Sequence, residues 1–203
     1  MIFDWSAFFN GFGTSAGLII AIGAQNAFIL KQAMMRNHVL TIAIICSIID
    51  TVLILCGVFG FATILESSPL LLKFAKWGGF VFLILYGLRS FLSMRRDHAI
   101  ELDKSRKKPS WRRIVALTLA FSLLNPHVYL DAVVLLGSIS SQFPDAEQPS
   151  FAIGASLASV TWFFSLSYGA QSLAPFFTNP KSWKILDCLI GVIMWSIAIA
   201  LVV

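Results

Sequence analysis

Two aspartates lie deep inside long, mostly apolar stretches of this 203-residue sequence. Asp50 has apolar residues on both sides, and Asp131 ends a segment that also contains an asparagine, a proline and a histidine. An ionised aspartate at the centre of a membrane helix costs about 2.5–3.5 kcal/mol to insert. That cost favours a function for these carboxyl groups, such as binding a cation or carrying a proton. The structural alternative is a protonated aspartate that hydrogen-bonds to a neighbouring helix.

The segment 125–131 combines ligand-binding side chains with a residue that interrupts helices. Pro126 has no backbone donor, and its ring clashes with the preceding turn, so carbonyl groups one turn earlier become available to a ligand. His127 and Asp131 are four residues apart and therefore share a helix face. The alternatives are a plain proline kink and a histidine that is hydrogen-bonded in the core.

A group of amides occurs earlier in the chain, where Gln25 and Asn26 follow Gly23. Amide groups inside a bilayer need a polar partner or a water-filled cavity. The pair therefore indicates either a binding site or, because Lys31 follows closely, the polar end of a helix at the membrane surface.

The elements that carry these residues are apolar enough to be membrane helices. The sequence is 58% hydrophobic and 12% charged, whereas soluble domains carry about 25% charged residues. Only helices and closed barrels satisfy the backbone in lipid, and the apolar runs do not alternate as barrel strands do. The prediction is an all-α polytopic membrane protein with about six spans of about 20 residues or more. The spans cover residues 5–30, 39–65, 70–94, 114–139, 151–177 and 183–203, and the first reaches residue 36 at most.

Lysine and arginine are distributed unequally between the two sides of this predicted bundle. Twelve fall in the loops after the first, third and fifth spans, and two fall on the other side. Because positive loops stay in the cytoplasm, the basic loop 95–113 is predicted to be cytoplasmic and both termini external. If residues 1–13 lie only along the membrane surface, five spans and a cytoplasmic N-terminus result. The twelve are Lys31, Arg36, Arg95, Arg96, Lys104, Arg106, Lys107, Lys108, Arg112, Arg113, Lys181 and Lys184.

A faint internal similarity divides the chain into two halves. A shift of 100 residues places residues 25–30 on 125–130, and each segment lies in the first of three spans. The halves, residues 1–94 and 111–203, would then have opposite orientations, as in the inverted repeats of secondary transporters. The prediction is a single transmembrane transport domain, residues 1–203, in the bacterial inner or plasma membrane.

Other classes of function find little support in the sequence. It contains no phosphate-binding loop, no metal-ligand spacing and no recognisable nucleophile–base motif, so neither an enzyme nor a nucleotide-driven pump is expected. No cofactor, no metal and no nucleic-acid partner are predicted. The three cysteines form no CxxC pair, which argues against a transmembrane thiol relay. The net charge of +5 suits contact with membrane lipids, and homo-oligomerisation is left open.

These residues resemble the LysE/ArgO family of basic amino-acid exporters. The stretch Asn-Pro-x-x-Tyr-Leu-Asp that ends at Asp131 is the most specific part of the resemblance. The family commonly has Gly-Pro-Gln-Asn where this chain has Ala24, which puts a proline-induced break of the first span in doubt. The resemblance implies export of L-lysine, L-arginine or close analogues from the cytoplasm. The matching segments are 23–28, 47–50, 77–79 with 86–87, and 124–131.

Residues and resemblance together predict a secondary exporter of cationic amino acids that is driven by protons or by the membrane potential. Asp50 and Asp131 are expected to bind the substrate's cationic groups and to exchange them for protons, while amides and freed helix ends hold its carboxylate. One alternative is an exporter of metal ions or other cations that uses Asp50, His127 and Asp131. Another is a purely structural pair of Asp131 with Lys31. The predicted substrate-binding residues are Gln25, Asn26, Asp50, Asn125, Pro126, His127, Tyr129 and Asp131.

Overall fold

The computed structural model describes residues 3–21, 23–60, 69–94, 109–177 and 180–202. Within these ranges the chain forms helices and turns, without a β-strand. Most of the predicted cytoplasmic loop, residues 95–108, lies outside the described ranges. The helices in chain order are α1 (Trp5–Ile19), α2 (Ala24–Met34), α3 (Val39–Val58), α4 (Pro69–Met94), α5 (Trp111–Leu123), α6 (Pro126–Tyr129), a π-helical segment (Leu130–Leu135), α7 (Leu136–Ser140), α8 (Gln148–Gly169), a 3₁₀ helix (Ala170–Phe177) and α9 (Pro180–Val202).

Four of the described helical stretches are long and apolar enough to cross a membrane by themselves. They are Val39–Val58, Lys76–Met94, Gln148–Leu173 and Lys181–Val202. Two bent pairs add one span each if each pair crosses as a unit: Trp5–Ile19 with Ala24–Met34, bent by 80°, and Trp111–Leu123 with His127–Ser140, bent by 61°. The prediction of an all-α polytopic membrane protein is confirmed, with up to six spans in the described part of the chain.

Helix α3 illustrates why these sequences fold as membrane helices. Its buried residues include Ile42 and Ile54, while Ile48 and Val52 are more than half exposed on its other face. An amphipathic helix of a soluble protein would carry polar residues on that outer face. Large apolar side chains on both faces are stable only where the outer face contacts lipid.

Glycines allow two pairs of elements to approach until their backbones touch. A Cβ atom added at Gly57 of α3 would lie 2.6 Å from the carbonyl oxygens of Ala132 and Val133 in the π-helical segment. Gly11 of α1 and Gly154 of α8 likewise face the other helix's backbone. These contacts hold α3 against the π-helical segment and α1 against α8, so α1 is part of the helix bundle.

Candidate functional site

A cavity of about 330 Å³ lies where the two broken spans meet α3, α8 and α9. Its wall contains six of the eight predicted substrate-binding residues: Gln25, Asn26, Asp50, Asn125, His127 and Asp131. The bends at the two breaks bring these residues together; an interruption of the fourth span at Pro126 was predicted, whereas a break of the first span was in doubt. The remaining wall is formed by Ser15, Leu18, Ile19, Ala21, Gly23, Val128, Ala132, Leu136, Phe163 and Ile197.

The first break separates α1 from α2 and is held by the side chain of Asn26. Its Nδ2 donates hydrogen bonds to the carbonyl oxygens of Ile19 and Ala21, both at 2.8 Å. Its Oδ1 accepts one from Nε1 of Trp162 at 3.3 Å. The last carbonyls of a helix lack partners within that helix, so this amide satisfies them without any proline. Ala24, where the family commonly has proline, therefore does not prevent the break.

The second break separates α5 from α6 and uses proline in a favourable position. Pro126 is the first residue of α6, where a missing N–H costs no hydrogen bond. Oδ1 of Asn125 accepts a hydrogen bond from the backbone N–H of His127 at 3.2 Å. The hydroxyl of Tyr129 donates to the carbonyl oxygen of Leu123 at 2.8 Å. Pro126 thus starts a new helix, and Tyr129 satisfies the end of the previous one.

Asp131 lies in the π-helical segment that follows this second break. Single π-helical turns inside α-helices occur frequently at functional sites, because the wider turn leaves part of the backbone ladder open. Asp50 comes from the unbroken helix α3, which Gly57 brings into contact with the same segment. The close approach of the two backbones brings both carboxyl groups to one cavity.

The electrostatics of the cavity are set by these two acids. Both acids are partly buried. The charge of Asp131 acts on Asp50, and His127 acts on Asp131. Two carboxylates that share a poorly solvated site repel each other, whereas a cation between them removes the repulsion. The cavity is therefore built to accept positive charge, either as protons or as a bound cation.

The side-chain amides of Gln25 and Asn26 have different roles. Gln25 lines the cavity and its Nε2 donates to Oγ of Ser122 at 3.2 Å, so α2 is tied to α5. The amide nitrogen of Asn26 holds the first break and its oxygen accepts from Trp162 of α8, which makes Asn26 a positioning residue. The N-cap of α2 is Gly23, which has an extended backbone and makes no side-chain capping hydrogen bond. Gly23, Gln25 and Asn26 of that first turn line the cavity, and the free N–H groups at the start of a helix are suited to an anion.

Tyr129 and Pro126 were predicted to contact the substrate, and the ion pair of Lys31 with Asp187 was not predicted. Tyr129 bonds to backbone instead of lining the cavity, and for Pro126 only the backbone position is described. The predicted alternative of an Asp131–Lys31 pair is wrong, because Lys31 binds Asp187 of α9. The sequence signal for this pair was an acidic residue inside the sixth apolar span, and it was overlooked.

A search for metal sites among the described residues found no group of three histidine, cysteine, aspartate or glutamate side chains that could hold an ion. Asp50, His127 and Asp131 line the same cavity without forming such a group.

Comparison with known proteins gives full-length matches. The sequence profile of the LysE type translocators matches residues 16–203. The chain is 43% identical to "Putative amino-acid transporter YggA" of Aeromonas salmonicida, over 95% of this chain and 93% of that protein. It is 41% identical to "Arginine exporter protein ArgO" of Serratia proteamaculans and 42% identical to the protein of that name from Yersinia enterocolitica, in each case over 97% of this chain and 96% of the other. No solved structure matches the chain.

Proposed function

The chain belongs to the family of LysE type translocators, and from this premise we propose that it exports cationic L-amino acids, arginine and/or lysine, from the cytoplasm. Among the relatives compared, those whose names specify a substrate are arginine exporters. Arginine is therefore the first substrate to test. The described helices suit a multi-pass protein of the inner membrane.

The observation that carries this proposal is the cavity between the halves, with one carboxyl group from each. Its volume of about 330 Å³ falls at the lower end of the range of about 300–1,000 Å³ found for small-molecule sites. A basic amino acid has two cationic groups and one carboxylate. Asp50 and Asp131 match the cations, and the first turn of α2 with Gln25 matches the carboxylate. This pairing of charges supports a zwitterion with an additional positive charge.

The other predicted residues take part in different ways. Asn125 and His127 line the cavity beside Asp131 and are in position for polar contacts with the substrate. Asn26 and Tyr129 act on the two breaks, and Pro126 fixes the start of α6. We assign these three to shaping the site.

Energy for uphill export must come from a gradient. Moving a cation out of an inside-negative cell costs about 2.3 kcal/mol per charge per 100 mV. A carboxyl group that is protonated in the empty cavity and ionised beside a bound cation exchanges one for the other. We therefore propose proton antiport through Asp50 and Asp131, with each substrate cation replaced by a proton on the return step. An uncoupler should then abolish concentrative export.

The distribution of lysine and arginine still supports the predicted orientation in the membrane. Lys31 lies within α2 in a buried pair and no longer counts as a loop residue, but the excess of basic residues on one side remains large. The basic loop is proposed to be cytoplasmic and both termini external. Reporter fusions at Met1 and Val203 test this, and a cytoplasmic Met1 would favour five spans.

Counterflow in liposomes tests the function directly. Liposomes that contain the purified protein are loaded with unlabelled arginine. The uptake of labelled arginine, lysine, leucine and a divalent metal ion is then compared. We expect exchange of arginine or lysine and none of leucine. Metal exchange without amino-acid exchange would support the alternative of a metal exporter. Equal exchange of leucine would show that the aspartates do not recognise the substrate's charge.

A further inference from the structure

Helix α2 lies between the cavity and the side of the membrane where the basic loop is. Its first turn lines the cavity through Gln25. Its far end leads to His38, whose Nε2 lies 3.0 Å from the carbonyl oxygen of Pro109 in the basic loop. Seven of its eleven residues are buried. A substrate that enters the cavity from the basic-loop side would therefore meet a packed helix.

The Phe28 ring shows how tightly α2 is seated. It is completely buried and stacks on Phe121 of α5, with 4.7 Å between the ring centroids. Cys46 of α3 is buried below α2, beside Gln25 and Ser122. Movement of α2 away from α3 and α5 would expose this thiol, which is otherwise shielded.

A buried ion pair fastens α2 to α9. Nζ of Lys31 donates a hydrogen bond to Oδ1 of Asp187, and the exposed fractions of the two side chains are 12% and 0%. Lys31 is six residues after Gln25, or about 9 Å farther from the cavity at 1.5 Å per residue. The pair lies on the basic-loop side of the cavity, because α9 has just begun at Pro180.

Stability alone does not account for this pair. Replacing a buried ion pair by packed apolar residues is often neutral or stabilising, whereas removing one partner is strongly destabilising. The group that occupies Asp187 is an alkylammonium, the same group that a lysine substrate carries, and an arginine guanidinium has the same charge. A cationic amino acid that arrives from the basic-loop side is thus a direct competitor of Lys31.

We propose that Asp187 is a binding site for the cationic side chain of the incoming substrate, and that Lys31 occupies this site while α2 is closed. The substrate replaces Lys31 on Asp187, the ion pair between α2 and α9 is broken, and the route to the cavity opens. When the substrate passes on to Asp50 and Asp131, Lys31 returns and closes the route. The ligand class rests on the proposed function, whereas the opening of α2 is measured independently of transport.

Cys46 provides the test. Cys56 and Cys188 are replaced by alanine, and inside-out membrane vesicles are treated with a charged, membrane-impermeant thiol reagent. We expect arginine to increase the labelling rate of Cys46 several-fold and leucine to leave it unchanged. In the variant Lys31→Met/Asp187→Leu the response to arginine should disappear, because no ion pair is left to displace. The matched control is Lys184→Met, which removes a cation from the same end of α9 and should keep the response.

The outcomes separate this inference from the proposed function. If the double variant keeps the arginine response, or if the parent exchanges arginine in counterflow without any response at Cys46, Asp187 is not a substrate site. If the parent does not exchange arginine, the proposed function itself fails. Should the apolar pair not fold, the variant Lys31→Met/Asp187→Asn replaces it. That variant keeps a polar side chain of similar volume at position 187 but no carboxylate, so the response to arginine should disappear, and a retained response in folded protein contradicts the proposal.

Discussion

The two halves of the protein reach the same arrangement by different chemistry. Each half breaks its first span, but the first half uses the amide of Asn26 and the second uses Pro126 with Tyr129. Each half also contributes one acid to the cavity, from an unbroken helix in the first half and from a π-helical segment in the second. What both halves of the chain share is therefore a helix end at the cavity and a carboxyl group in its wall, whereas the side chains that produce the break differ.

Removing either carboxyl group is expected to have the largest effect and tests whether the halves contribute equally. Asp50→Asn and Asp131→Asn keep the side-chain volume but lose the ionisable group, so each should insert normally and lose arginine export. Asp→Glu should retain part of it. Export assays with matched expression measure this, and Asp145→Asn, an exposed acid in a turn, is the control. Export at the parental rate in both Asn variants would contradict the exchange mechanism.

Removing the amide that holds the first break should have the next largest effect. Asn26→Ala removes the hydrogen bonds to the carbonyls of Ile19 and Ala21, each of which contributes about 0.5–1.5 kcal/mol. We expect a lower unfolding temperature in detergent and export reduced several-fold, because α2 and Gln25 lose their position. Asn10→Ala on the exposed face of α1 is the matched control. An unchanged unfolding temperature would mean that the break does not depend on this amide.

The second break should tolerate the loss of one hydrogen bond better than the first, because both Pro126 and Tyr129 stabilise it. Tyr129→Phe removes one hydrogen bond to the carbonyl of Leu123 and should cost about 0.5–1.5 kcal/mol of stability. Export should fall by less than it does in Asn26→Ala. Tyr168→Phe, at an exposed tyrosine, serves as the control in the same thermal unfolding experiment. A larger loss than for Asn26→Ala would reverse the proposed difference between the halves.

Placing a proline at the first residue of α2, as Pro126 is at the first residue of α6, should have the smallest effect. Ala24 is the first residue of α2, and Gly23 before it has φ −105° and ψ 178°, the extended backbone that proline requires of its predecessor. Ala24→Pro removes only the first N–H of this turn and leaves those of Gln25 and Asn26, so export should change little and stability should rise by about 0.4–1 kcal/mol. A matched change inside the helix, Ala33→Pro, should destabilise the protein. Loss of export in Ala24→Pro would show that the break needs the alanine.

The sequence predicted most of the cavity because polar side chains are rare in apolar spans. Gln25, Asp50 and Asp131 each stood out for that reason, and all line the cavity. The role of Asn26 in holding the first break could not be predicted, since the carbonyls of Ile19 and Ala21 come within reach of its side chain only when the helix is broken.

The ion pair of Lys31 and Asp187 escaped prediction for a related reason. Each residue lies near the end of a predicted span, where a charge is usually solvated by lipid headgroups, so Lys31 was counted with a loop. Their contact joins positions 156 residues apart. It depends on the bend of 80° between α1 and α2, which hydropathy does not encode.

The glycine contacts divide the bundle into parts with different freedom of motion. Where α1 meets α8 at Gly11 and Gly154, and where α3 meets the π-helical segment at Gly57, backbone packs on backbone. Because close backbone packing resists sliding, we expect each pair to move as one body. By contrast, Gly23 at the start of α2 has no atom within 4 Å of an added Cβ. If α2 moves during transport, as proposed above, the open space at Gly23 would let these eleven residues move while the closely packed pairs stay in place.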